Sequence, residues 1–201
     1  MPPKDNQGRD DSRIAEEGLQ VDESNSITWN KSHSEYPRNY SWPRKAYDTG
    51  AILLYELFTT VISTTGPSAA ELARREYNIG PVAALAAFSF AYNAGQALGS
   101  LLLPPYSESI GRRKLFIYSA AVYSIASLIT GVVPSIAGAV VGRFIAGAAS
   151  TVPSVVAAGY IEDLYNYRHR VWVVLAWQSS ATLGLSIGPT YGSFIASLVG
   201  W

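Results

Sequence analysis

The sequence predicts an all-α integral membrane protein with about five spanning helices. Three observations carry this. Charge is scarce: only 15% of the 201 residues are Asp, Glu, Lys or Arg, against roughly 25% in soluble domains. That charge is also crowded at one end, because residues 1–48 hold sixteen of the thirty charged side chains and the other 153 hold fourteen. Finally, the body reads as apolar runs long enough to cross a bilayer, which takes about 20 residues against a core near 30 Å thick. A soluble bundle would show a polar face on each helix. The run 81–103 offers only Ser, Asn, Tyr and Gln for one.

Residues 1–48 are expected to form a disordered cytosolic tail. Within them, 1–35 are rich in Asp, Glu, Ser and Asn and have no apolar period, so they cannot bury enough surface to offset the entropy of ordering. The tail carries a net charge of −2, which argues against a polybasic lipid hook. It opens on MPPKDNQGRDD, without the early apolar core of a signal peptide, so an internal helix has to serve as the anchor. The segment YPRNYSWPRK sets Tyr36, Tyr40 and Trp42 among basic residues, a mixture suited to the headgroup zone. Asn30-Lys31-Ser32 and Asn39-Tyr40-Ser41 match the glycosylation pattern, but the topology below places both on the cytosolic side.

The membrane domain, 49–201, is read as helices near 49–70, 81–103, 115–132, 135–159 and 171–199. From Leu115 to Ile161 the single charge is Arg143. That run is too long for one helix, and Gly131 with Pro134 marks the break. Pro104 and Pro105 are expected to end the second helix, since the residue before a proline is biased away from helical geometry. Gly, Ala and Ser abound, as where membrane helices pack closely. Basic residues in short loops set orientation. Arg38, Arg44 and Lys45, then Arg112, Arg113 and Lys114, then Arg168 and Arg170 fall on one side of five helices, whereas Arg74 and Arg75 opposite are flanked by Glu71 and Glu76. The N-terminus is therefore expected in the cytosol. An odd helix count ending at Trp201 implies a truncated protein.

A few membrane residues need an explanation beyond packing. Arg143 lies some eight residues into the fourth helix, where a charge either faces a bundle interior or snorkels to the surface. Gly147 shares its face at i+4. Glu56 is the only acid within a helix, and it either protonates in the same cavity or sits near the cytosolic interface. Asn93 and Gln96 line a polar pathway or simply hydrogen-bond between helices. Gly184, Gly188 and Gly192 recur every four residues, so they present one face to a neighbouring backbone. Pro189 among them removes one helical hydrogen bond. That face serves packing alone or a moving contact.

The absence of cysteine, and the wide separation of His33 and His169, leave no expected cofactor or metal site. With no nucleophile–base arrangement either, an enzyme is not expected. Three adjacent basic residues and zero net charge do not suit a nucleic-acid partner.

Together these residues resemble the N-terminal part of a major facilitator superfamily transporter, and most nearly the fungal drug:proton antiporter type with twelve helices. That family's link between helices two and three carries an acid, two spacers, then Gly-Arg-Arg or Lys. Here it reads Glu108, Ser109, Ile110, Gly111, Arg112, Arg113, with Pro104 where the family has glycine and Glu108 where it has Asp. Arg143 followed by Gly147 is similar to the helix-four signature associated with proton coupling. Gly184, Gly188, Pro189 and Gly192 match the helix-five pattern of exporters. IEDLYNYRHR, residues 161–170, resembles the following loop in fungal members. The resemblance covers about residues 36–201 and implies an incomplete N-terminal half of a major facilitator fold.

It further implies proton-coupled export of small organic compounds, with Arg143, Gly147 and Glu56 in proton coupling and Glu108, Gly111, Arg112 and Arg113 in conformational gating. Glu108 is expected to pair with a basic residue of the link or with the first turn of the next helix, and Glu108 and Arg112 to form part of a conformational latch. Its partners would be substrate, protons and the lipid bilayer. The plasma membrane is favoured over the vacuolar membrane. This chain alone is not expected to transport. The alternative is a non-transporting membrane protein that partners a full-length transporter, or a non-functional fragment.

Overall fold

The computed structural model describes residues 19–21, 27–29, 36–133 and 135–199. In the tail, β1 (Leu19–Val21) pairs antiparallel with β2 (Ile27–Trp29), Leu19 opposite Trp29 and Val21 opposite Ile27. β-branched and aromatic residue types favour such a pairing, which the polar composition around it hides. The rest of 1–35, including Asn30 and His33, lies outside the described residues, whereas 36–48, expected in the same disordered tail, form a 3-10 turn at Pro37–Asn39 and the first turns of a long helix.

Helices make up the body. α1 (Trp42–Thr64) begins well before the expected start, with Ser41 as N-cap and Pro43 in its first turn. Proline suits that position because its missing N–H would be unpaired there anyway. At Thr65 the chain breaks, and α2 (Gly66–Glu76) starts with Pro67 in its own first turn. The single helix expected over 49–70 is thus two. α3 spans residues 81–110, with a π-helical turn at Ala86–Phe90. α4 is Arg112–Val132. α5 spans Ile136–Leu164, with a π-helical turn at Val152–Val156 around Pro153. α6 is Tyr167–Val199 and continues through Pro189.

One expectation is overturned in an informative way. Pro104 and Pro105 do not end the second helix; both lie inside α3, which runs on to Ile110. The Ser107 hydroxyl donates to the Pro104 carbonyl at 2.6 Å, adding a local partner where proline removes backbone donors. The link read from 104 to 114 therefore shrinks to Gly111. That residue closes α3 and opens α4 with φ +94° and ψ 132°, a conformation reserved for glycine. Before α5 the Ser135 side chain caps the helix by accepting from the Gly138 N–H at 3.1 Å.

Among the described residues three helices, Arg112–Val132, Ile136–Leu164 and Tyr167–Ile195, are long and apolar enough to cross a membrane. α1 and α3 have the length, but Asp48 and Glu56 in one and Asn93 and Gln96 in the other dilute their apolar character. Large apolar side chains face outward all around, among them Phe58, Phe90, Leu101, Ile125, Leu128 and Leu183, as lipid requires.

α5 is the centre of the bundle. Over half of its apolar window (56%) is buried, against 22% for α4 and 17% for α6. The strongest pairings are α3 with α5, α1 with α6 and α4 with α5. Glycine makes the first two possible. A Cβ placed on Gly147 would lie 2.0 Å from the Tyr92 carbonyl oxygen, and one on Gly95 would lie 2.0 Å from that of Phe144. Side-chain donors then reach carbonyls on neighbouring helices. Ser180 donates to Leu53 at 2.6 Å, Trp177 Nε1 to Pro153 at 3.1 Å, and Thr151 to Gln96 at 3.2 Å. Each carbonyl has a second lone pair to give, and in lipid these donors have no water to turn to.

Two measurements check this packing. Gly147→Val is expected to push α3 from α5 and lower stability by about 1–3 kcal/mol, seen as an earlier thermal transition in detergent. Nothing lies within 4 Å of a Cβ on Gly50 in α1, so Gly50→Ala should instead raise stability by about 0.5–1 kcal/mol; equal melting of the two would refute the close contact. Gly111→Ala should cost about 1–3 kcal/mol through backbone strain alone, and an unchanged transition would remove the conformational requirement.

Candidate functional site

Two charged side chains sit inside the bundle. Arg143 on α5 is only 7% exposed and Glu56 on α1 only 6%. The Arg143 Nη1 donates to the Ile62 carbonyl of α1 at 3.3 Å. Its guanidinium carbon lies 5.8 Å from the centre of the Phe88 ring on α3. Its Nε has no hydrogen-bond partner, nor has the Glu56 Oε2. A charge so placed faces the interior and does not reach the outer surface.

Arg143 and Glu56 do not form an ion pair; tyrosines occupy the space around them. Tyr92 on α3 is within electrostatic reach of both. Tyr123 on α4 packs with Tyr92 in one buried cluster, and its hydroxyl donates to the Thr59 carbonyl at 3.4 Å. The Tyr55 and Tyr123 rings meet edge to face at 6.3 Å. Gly147, one turn beyond Arg143, is the backbone contact to Tyr92. It fixes the guanidinium against α3 and α1. A buried carboxyl with one unbonded oxygen, near an arginine whose donors are only partly used, can take up and release a proton or hold a cationic group. Asn93 is exposed, and Gln96 is half-buried beside Thr151.

At the tail end of the bundle, the turn residues separate. Arg112 pairs with Asp163 of α5 at 2.8 Å. A Cβ on Gly159, one turn earlier in α5, would lie 2.7 Å from its guanidinium, so glycine there makes room for the arginine. Glu108 is exposed and, among the described residues, in no ion pair. The expected pairing of Glu108 with a basic residue of the link is therefore not found among the described residues: Arg112 takes Asp163, from another helix, as its partner, and Glu108 acts on Asp163 only through space. Arg113 is exposed. A cavity of about 670 Å³ lies here, bounded by Tyr40, Arg44, Glu108, Arg112 and Asp163. Around it Tyr160 donates to Asp48 Oδ2 at 3.1 Å, Tyr165 shares a hydrogen bond with Thr49 at 2.8 Å, and Arg170 pairs with Glu162.

The glycine face of α6 meets α1. A Cβ on Gly184 would lie 2.8 Å from Thr60 Cβ, one on Gly188 2.7 Å from the Val61 carbonyl oxygen, and one on Gly192 3.1 Å from Thr65 Cγ2. Pro189 is exposed. Sequence reasoning found these positions by their period but missed Asp163, Gly159, Tyr92 and Tyr123. The signal for Gly159 and Asp163 was present in GYIED, where a small residue sits four before an acid at the end of an apolar run. Tyr92 and Tyr123 were hidden because tyrosine also belongs at lipid interfaces. Among the described residues no group of His, Asp and Glu could hold a metal ion.

Known proteins are similar to this chain in sequence. The MFS-type transporter traF of Penicillium crustosum is 28% identical over 196 residues, covering 96% of this chain and 40% of that protein. The trichosetin biosynthesis cluster MFS transporter of Gibberella fujikuroi is 31% identical, covering 92% of this chain and 39% of its own length. The cercosporin MFS transporter CTB4 of Cercospora nicotianae is 25% identical, with 82% and 32% covered. The chain thus spans well under half the length of these relatives. No solved structure matches it. Residues 51–201 match the family described as the Major Facilitator Superfamily, and the chain is a multi-pass membrane protein that belongs to that superfamily.

Proposed function

We propose that the chain is part of a proton-coupled exporter of small organic compounds, of the twelve-helix fungal antiporter type. The single observation that carries this is the buried Arg143 and Glu56 pair of sites, each with a polar atom left unbonded inside a membrane bundle. Intramembrane ionisable groups mark ion and substrate pathways. Two relatives bear names that tie them to trichosetin biosynthesis and to cercosporin, which supports a small organic cargo here. Glu56 is the proton-exchanging group in this reading. Arg143 supplies a fixed positive field, and Gly147 holds it in place.

The tail end faces the cytosol. The contacts Tyr160–Asp48, Arg112–Asp163 and Arg170–Glu162 gather Arg38, Arg44, Lys45, Arg112, Arg113, Lys114, Arg168 and Arg170 at that one end. Arg74 and Arg75, at the other end, both pair with Glu71 at 3.4 and 3.6 Å. The excess of free positive charge follows the loop rule for a cytosolic face. Glu108, Gly111, Arg112 and Arg113 form the gating turn, with Asp163 as its anchor, in a cell-surface membrane.

Proteoliposomes holding this chain joined to the remaining length of one of its relatives test the mechanism. Glu56→Gln is expected to cut gradient-driven substrate flux by about tenfold or more and to remove its response to an imposed pH gradient. Flux that still follows the gradient would sink the role of Glu56. For the gate, these 201 residues hold no cysteine, so a single thiol introduced into them is an unambiguous probe once any cysteine of the joined portion is replaced. Asp163→Asn should change its labelling from the two faces while lowering stability by only about 0.2–1 kcal/mol, because the ion pair is partly exposed. Unchanged labelling on both faces would refute the anchor.

A further inference from the structure

Arg143 and Glu56 are buried in one bundle, yet they meet α1 at different heights. The guanidinium reaches the Ile62 carbonyl, six residues beyond Glu56, which is about 9 Å along the helix axis at the usual rise. Tyr123 of α4 enters that interval. Its hydroxyl donates to the Thr59 carbonyl at 3.4 Å, and Thr59 lies midway between the two positions. Tyr92 of α3 stands beside it. Tyr92 meets both Tyr123 and the Ser150 hydroxyl of α5, and it is in electrostatic reach of Arg143 and of Glu56. The guanidinium in turn is acted on by Tyr123 and Tyr92.

Packing alone does not ask for hydroxyls here. Tyr92 and Tyr123 are 3% and 1% exposed, and a hydroxyl buried among apolar groups is costly unless it is bonded. Phe88, one turn before Tyr92, fills the same interior without one, its ring beside the guanidinium. The two tyrosines are also held firmly. Ser150 is anchored by donating to the Gly147 carbonyl at 2.7 Å, and the Tyr55 ring meets that of Tyr123 edge to face. The titratable groups of the cluster are Tyr55 and Glu56 of α1, Tyr92 of α3, Tyr123 of α4 and Arg143 of α5. α6 brings Ser180 and glycines to α1, and α2 keeps Glu71, Arg74 and Arg75 on its exposed side. The burial of Glu56 and Arg143 comes from these helices alone, whatever packs outside them.

We propose that the hydroxyls of Tyr92 and Tyr123 form a positioning bridge that carries the charge state of Glu56 to Arg143. When Glu56 gives up its proton, the two hydroxyl dipoles turn towards the carboxylate. When the proton returns, they turn back to Ser150 and the Thr59 carbonyl. The guanidinium feels each rearrangement without approaching Glu56, and neither tyrosine loses its own proton. The bridge rests on the reading of Glu56 as the proton-exchanging group.

Infrared difference spectra of the full chain in detergent, recorded against pH, test it. They report the carboxylic C=O of Glu56 as the band that Glu56→Gln removes. Arg143→Gln is expected to move the midpoint of that band up by about one pH unit, because a positive charge favouring the carboxylate is lost. In a Tyr92→Phe background, which keeps the ring, the same change should move it by about half as much or less, since groups acting through one network are not additive. Tyr123→Phe should attenuate it likewise, and serves alone if Tyr92→Phe loses helix content. Tyr55→Phe, whose hydroxyl bonds Ser119 away from the bridge, should leave the shift whole. An undiminished shift in Tyr92→Phe and Tyr123→Phe, no shift on Arg143→Gln, or equal attenuation in Tyr55→Phe would overturn the bridge and leave the role of Glu56 standing. A Glu56 band that is missing or does not titrate would overturn that role, and the bridge with it.

Discussion

Contact between the backbones of α3 and α5 is the constraint on which the bundle depends. Gly95 and Gly147 let the two helices approach until main-chain atoms of one would meet a side chain of the other at 2.0 Å. Lipid gives helices no hydrophobic reason to associate, so this approach has to supply dispersion and short polar contacts in its place. It also fixes where Arg143 goes. With Gly147 against Tyr92, the guanidinium one turn away is delivered to Ile62 and Phe88. Without that approach the charge would have room to slide outward.

The second seam obeys the same rule with different residues. Gly184 and Gly188 of α6 lie against threonines and carbonyls of α1, Gly192 lies against Thr65 and Ser68 just beyond it, and Ser180 ties the seam by donating to Leu53. At this seam the threonine hydroxyls of α1 turn mainly to their own helix, as Thr64 does to Thr60 at 2.8 Å, with one longer reach from Thr64 to the Gly184 carbonyl at 3.5 Å. A smooth contact between two long helices resists separation yet offers few interlocking side chains against sliding. That combination suits a protein whose relatives are transporters.

Much of this was legible in the sequence. The four-residue period of glycine in α6, the isolated Arg143 and the Arg112–Arg113 pair each announced a position, because composition and spacing report directly on one helix face. Partners were not legible. Asp163 reaches Arg112 across 51 positions, and Tyr160 reaches Asp48 across 112; a single sequence has no record of such meetings. Helix ends were also misjudged at Pro104 and Pro105, where a neighbouring serine and the surrounding bundle override the local preference against helix. The single-residue joint at Gly111 follows from that same override.

The π-helical turn at Val152–Val156 has a larger effect than its five residues suggest. An extra residue within one turn rotates everything beyond it by about 100° relative to an unbroken helix. Before the turn, α5 packs on α3 and α4; after it, Ala157 and Ile161 lie in a cluster with Ile52 of α1 and Trp177 of α6. Trp177 also bonds a carbonyl within the turn itself. One rod therefore adds α6 to its neighbours partway along its length while keeping α4, whose Arg112 meets Gly159 and Asp163. In a helix without that insertion, Gly159 and Asp163 would point about 100° away from Arg112 while Arg143 kept its place against Ile62 of α1.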